Sequence, residues 1–201
     1  MTPRHLVLHG LAIKKHGTPT DIAALTVLSE EETRRQLAAL AASGRAIESE
    51  GRFLLSPLAA VALECDYSRH YASVRADADF MRGYEAFERI NIQLKAVITD
   101  WQSMDISGRR LPNDHQNAAY DDAIIDRLGD IDDRVSSILA ALGAAVPRLT
   151  YYYRDRLLRA LEKAEDGNIE WVSDIRIESY HTIWFELHED LLRIVGRKRQ
   201  E

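Results

Sequence analysis

A chain of 201 residues with 46% hydrophobic and 29% charged residues has the composition of an ordinary globular protein, and its length allows one large domain or two small ones. No apolar run reaches the roughly 18 residues of a membrane span and the N-terminus lacks a signal peptide's unbroken apolar core, so a cytoplasmic location without a membrane partner is expected. The single cysteine, Cys65, excludes an intramolecular disulfide and any multi-thiolate metal site. The net charge of −6 is unevenly spread: residues 1–62 hold seven Lys/Arg against six Asp/Glu, the remainder nineteen against twenty-six. Neither part offers nucleic acid a strong field.

Residues 4–56 read as three helices and a hairpin. The first helix, 5–16, carries Leu6, Leu8, Leu11, Ala12 and Ile13 and stops at Gly17. Thr20 is expected to cap a short second helix over 21–26 with Ile22, Ala23 and Leu25 inward. Ser29 followed three residues later by Glu32 is a capping box, and predicts a third helix through Leu37, Leu40 and Ala41 to Gly44. Extended pieces at 46–48 and 52–55 flank Ser49-Glu50-Gly51, a tight hairpin turn. Three helices and a hairpin form the winged-helix pattern, so a winged-helix domain over 1–56 is expected.

After Ser56-Pro57 strand signals almost vanish. Helical spacing predicts a helix from 57 to about 81, a kink or break at Gly83, and a helix over 84–102 with Asn91 inside its apolar stripe. A loop follows over 103–115. Helices return at 120–142, at 148–165 and in a tail that starts at Ser179 and stops at Gly196. The expected fold is mainly α, with an antiparallel helical bundle over 57–201.

The tail places His181, Trp184, Phe185, His188, Leu191, Leu192 and Val195 in one stripe, so two imidazoles sit on the face expected to be core. Each needs a partner, because burying an unpaired imidazole costs roughly 1–3 kcal/mol. They are either core hydrogen-bonding residues or the lining of a pocket. With Trp101, Gln102, Asn113, Asp114, His115, Tyr120, Arg156, Tyr180 and Trp184 they form a polar and aromatic set suited to a small aromatic or anionic ligand. The same set could close a buried network that fixes the register of the bundle.

Other chemistry is poorly served. Glu178-Ser-Tyr-His181 has the Glu-x-x-His form of di-metal bundles, but the second copy is missing, and neither a metal nor a cofactor is expected. There is no phosphate-cradling glycine loop and no nucleophile elbow. In the third helix Glu30-Glu31-Glu32 would repel phosphates ahead of Arg34 and Arg35, and the wing sets Glu48 and Glu50 against Arg52.

The segments Asp100-Trp101-Gln102, Asn113-Asp114-His115, Ala119-Tyr120-Asp121, Arg127-Leu128 and Ser179-Tyr180-His181-Thr182, with 184–191 behind them, resemble a helical module that follows a winged helix. That module accompanies enzymes of the phosphoenolpyruvate synthase and pyruvate phosphate dikinase type, fused to them or separate. Because the nucleotide-grasping and phosphohistidine domains of such enzymes are missing, the resemblance implies an accessory or acceptor-recognition subunit, not catalytic alone. Its partners would be a larger dikinase-like subunit and a small-molecule acceptor. Such proteins are often labelled MarR-like, which supplies the alternative of a transcription regulator whose bundle senses a ligand or dimerises. Only under that alternative does nucleic acid become a partner, met by Thr33, Arg34, Arg35 and Arg52.

Overall fold

The computed structural model describes residues 1–106 and 108–199; position 107 of the expected loop, and 200 and 201, lie outside that description. The chain is mainly helical and forms two compact units. One comprises residues 1–77 together with 188–201, the other residues 78–187. These units are drawn differently from the expected division at 56/57, because the helix after Pro57 and the end of the tail group with the N-terminal residues.

The first unit opens with α1 (Pro3–Lys14), α2 (Pro19–Thr26) and α3 (Glu30–Ala42), followed by strands β1 (Ala46–Ser49) and β2 (Arg52–Leu55) and by α4 (Pro57–His70) and α5 (Ala72–Ala76). Local chemistry sets most of these boundaries. Thr2, Thr18, Ser29 and Ser56 each accept a backbone N–H in the first turn of the helix they precede. Thr18, rather than the expected Thr20, caps α2: its hydroxyl takes the Asp21 N–H while the Asp21 carboxylate takes the Thr18 N–H at 2.8 Å. Pro19 then occupies the first helical position, where its missing N–H costs nothing. Strands β1 and β2 pair antiparallel with Ser49 opposite Arg52. The two residues between, Glu50 and Gly51, both have positive φ, the conformation a two-residue hairpin turn requires.

The second unit contains α6 (Ala78–Gln102), the hairpin β3 (Ser103–Ile106) and β4 (Arg109–Pro112), α7 (Ala118–Ala145), α8 (Arg148–Glu165), α9 (Glu170–Ser173) and the first half of α10 (Tyr180–Val195). Two expectations are corrected. The helical break falls at Tyr71 and Asp77, not at Gly83, which lies inside α6 where a Cβ would press on Leu142 at 3.0 Å. The stretch expected as a loop over 103–115 begins instead with a hairpin, with Met104 opposite Leu111. Helices α6 and α7 run antiparallel: Gly83 lies against Leu142, Arg134 donates to Gln93 and Arg127 to Asp100. Helices α7 and α8 do the same, Thr150 meeting Leu139 near their shared turn and Gly129 lying against Glu165 near the far end.

Apolar side chains from successive turns fill the unit's interior: Phe80, Phe87, Leu94 and Trp101 on α6, Leu128, Val135 and Leu142 on α7, Leu157 and Ala164 on α8. Each fully buried large apolar side chain of this kind stabilises by about 1.5–3 kcal/mol. The buried face of α10 is broader than the expected one, keeping Trp184, His188, Leu191 and Leu192 but not Phe185. Tyr180, Ile183, Trp184, Leu187, Leu191 and Ile194 are buried, whereas Phe185 is 41% exposed and His181 half-buried.

Candidate functional site

The end of α6, the β3–β4 hairpin and the start of α7 gather the expected residues Trp101, Gln102, Asn113, His115 and Tyr120. Asn113 is the organiser. Its backbone N–H donates to the Gln102 carbonyl at 3.0 Å, and its side-chain amide donates to the Trp101 carbonyl at 3.1 Å and to Asp121 Oδ1 at 2.8 Å. The Asn113 carbonyl oxygen in turn accepts the His115 backbone N–H at 3.1 Å, holding His115 with a φ of 57°. Asn117 caps α7, and the Tyr120 hydroxyl donates to the carbonyls of Asp100 and Ser103. Hairpin and helices are thereby tied at one end of the second unit.

This scaffold orients one imidazole. His115 Nδ1 lies 3.0 Å from Oδ2 of the buried Asp121. Nδ1 also lies 3.2 Å from the Asn113 amide nitrogen, but that amide already donates to the Trp101 carbonyl and to Asp121, whereas the nearer carboxylate only accepts, so the proton belongs on Nδ1 and Nε2 of the neutral ring keeps its lone pair. The ring lies over the Trp101 indole with centroids 4.5 Å apart. Trp101 and His115 then form one wall of an open cavity of about 440 Å³, whose other lining comes from Ile169, Glu170, Ser173, Asp174, Ile175 and Arg176 around α9. Arg176 donates to both Asp174 oxygens, and these hydrogen bonds hold the Asp174 carboxyl down at about 2. Among the described residues no hydrogen bond joins Ser173 to His115, so the oriented imidazole has no nucleophile attached.

Of the expected ligand residues Trp101 and His115 line this cavity, Gln102, Asn113 and Tyr120 belong to the hydrogen-bonded scaffold, and the others are engaged elsewhere. Asp114 is exposed and accepts the Gln116 N–H. Arg156 lies over the Tyr152 ring at 4.3 Å and forms ion pairs with Glu178 and Glu186. Burial works against its charge, yet the Glu186 carboxylate and its neighbours hold its pKa above the ordinary arginine range. Tyr180 donates to Asp132 at 3.1 Å, and Trp184 donates from Nε1 to Asn91 at 3.0 Å while stacking on Phe87. The Asn91 in the apolar stripe of α6 is thus a hydrogen-bond acceptor for a core tryptophan. His188 is buried and belongs to the first unit.

The first unit holds a network that sequence reasoning missed. His9 and Asp190, both fully buried, meet at 3.0 Å through His9 Nε2, and His9 Nδ1 lies 2.9 Å from the Tyr67 hydroxyl. Asp190 fixes the proton on Nε2, so in the neutral ring Nδ1 accepts from Tyr67. Burial drives the Tyr67 phenol far above its ordinary range. A detectable signal existed: Asp190 falls between Leu187 and Ile194 at helical spacing on the apolar side of α10.

The residues expected to meet DNA are engaged or hidden. Arg34 pairs with Glu30 and Arg35 with Glu32 on the same helix, and Arg52 donates to the His16 carbonyl at 3.3 Å. Thr33 is fully buried, which corrects its placement among DNA-contacting residues. Among the described residues no helix is long and apolar enough to cross a membrane. Comparison with protein-family models, with curated proteins and with solved structures gives no match for this chain.

Proposed function

We propose that this protein is a non-catalytic accessory subunit of a phosphoenolpyruvate synthase or dikinase-like phosphotransferase, with the second unit recognising the phosphoryl acceptor. The observation that carries this reading is the cavity beside Trp101 and His115. It presents an aromatic wall and an imidazole whose free lone pair accepts a hydrogen bond from an acceptor hydroxyl, while its one hydroxyl residue, Ser173, is not hydrogen-bonded to that imidazole among the described residues. Such a site binds and orients, and the larger subunit supplies the chemistry. The test is co-purification with a candidate large subunit and phosphotransfer with and without this chain. Trp101→Ala and His115→Ala are expected to lower acceptor use at least tenfold while the complex still forms. Equal phosphotransfer without this chain, and no complex, would sink the proposal.

The second reading is a MarR-like regulator, favoured by three N-terminal helices followed by a hairpin, an order compatible with a winged helix. In it the helical unit senses a ligand or dimerises. The internal pairing of Arg34 and Arg35 and the acidic opening of α3 weigh against it.

A further inference from the structure

In the first unit, one turn of α4 brings Asp66 and His70 to the same helix face, and α1 sets His5 beside them. One ligand atom from each of the three side chains lies within 4.8 Å of the other two. The His5 and His70 ring centroids are 4.2 Å apart. Three further observations distinguish this cluster from an ordinary surface ion pair. His5 Nδ1 is 2.8 Å from the hydroxyl of Thr2, the cap of α1, which can take the ring proton when an ion between Nε2 and Asp66 draws on the Nε2 lone pair. Asp66 places Oδ1 on Arg69 at 3.2 Å and Oδ2 on the His5 side at 3.4 Å, so both carboxylate oxygens have assigned directions. Nε2 of His70 is buried and has no hydrogen-bond partner among the described residues, an unfavourable state unless something occupies it.

Two imidazole nitrogens and one carboxylate oxygen are the donor set of three-ligand zinc sites. A tetrahedral ion with bonds of about 2.0–2.1 Å spaces its ligand atoms about 3.4 Å apart. His5 Nε2 and Oδ2 of Asp66 already have that separation, 3.4 Å. We propose that His5, Asp66 and His70 bind a divalent first-row transition metal ion, with zinc the best-suited occupant. His5 and Asp66 also line a cavity of about 260 Å³ with Arg4 and Arg45, which leaves room for water or an anion as fourth ligand. The borderline nitrogen donors select against magnesium and calcium, which take oxygen ligands.

The experiment is equilibrium dialysis of the full chain against zinc alone, with one ion per chain expected. His5→Ala, Asp66→Asn and His70→Ala should each weaken binding at least tenfold, with folding checked by circular dichroism. Cys65→Ser, which removes the exposed thiol next to Asp66, and His16→Ala should leave binding unchanged. An assay without variants accompanies it: zinc should shift the imidazole NMR signals of His5 and His70 in the wild-type chain and leave that of His16 in place. Absence of stoichiometric binding, binding that survives the combined His5→Ala and His70→Ala change, or loss of binding in Cys65→Ser would overturn the assignment.

Discussion

At the scale of single residues, His9 and Asp190 are the most consequential pair in the first unit, because both are withdrawn from water. Removing one member strands the other, and broken buried pairs cost about 3–5 kcal/mol. Asp190→Ala is therefore expected to lower stability by at least about 3 kcal/mol in urea unfolding. Replacing both by apolar residues of similar volume, His9→Phe with Asp190→Leu, should recover much of that loss, since neither charge nor imidazole is then stranded. A cost below about 1 kcal/mol for Asp190→Ala would mean that the network carries little. The sequence marked His188 and passed over His9 and Asp190, and the reason is physical. The end of α10 is buried on more than one side, with Leu187, His188, Asp190, Leu191, Leu192 and Ile194 all inside. A reading that assigns one stripe per helix treats part of such a surface as solvent-facing.

Most elements whose boundaries are set by local chemistry were legible, the α2 cap at Thr18 instead of Thr20 being the exception, and those set by packing were not. The hairpin at Glu50-Gly51 and the Ser29 and Ser56 caps follow from residue types within one turn. Gly83 misled because a helical glycine signals a break only when nothing else requires it, and here Leu142 occupies the space a side chain would take. The β3–β4 hairpin gives a weak signal: β3 alternates over only four residues, with Met104 and Ile106 as its apolar pair, and β4, Arg109-Arg110-Leu111-Pro112, does not alternate and is exposed throughout. Likewise Trp101, Asn113 and His115 could be picked out as residue types, but their assembly by Asn113 depends on that unseen hairpin. The cap of α2 yields a prediction with a defined pH window. Burial raises the Asp21 pKa, but the Thr18 N–H and hydroxyl outweigh it, so the folded value lies below the ordinary 3.8. A depressed carboxyl pKa stabilises the fold above the unfolded value and loses that contribution as pH falls through the folded one. Asp21→Ala should therefore cost about 1 kcal/mol near neutral pH. The gap between variant and wild-type Tm should narrow as pH falls below about 4. A gap that is constant from neutral to acid pH would show that the carboxylate does not act through the cap.

For the whole molecule, charge distribution separates the two functional readings. DNA binding by a small module draws its affinity from phosphate neutralisation, and each phosphate contact adds roughly one to the slope of log K against log salt. The region holding the three N-terminal helices and their hairpin has almost no net charge, and Glu30, Glu31 and Glu32 open the helix that would enter a groove. With Arg34 and Arg35 already paired to Glu30 and Glu32, binding a phosphate means breaking an existing ion pair each time. Exposed pairs of this kind are worth under about 1 kcal/mol, so the obstacle lies in the carboxylates that stay beside the phosphate rather than in the strength of the pairs. The accessory-subunit reading accordingly predicts no retardation of duplex DNA, even at low ionic strength where electrostatic binding is strongest. The regulator reading predicts a retarded dimer whose salt slope falls by roughly one when either Arg34→Ala or Arg35→Ala is introduced. A mobility-shift titration across salt concentrations, run on wild type and both variants, distinguishes them. A salt-sensitive shift that loses slope with either arginine would transfer the protein to the regulators and leave the Trp101–His115 cavity as the sensor's ligand site.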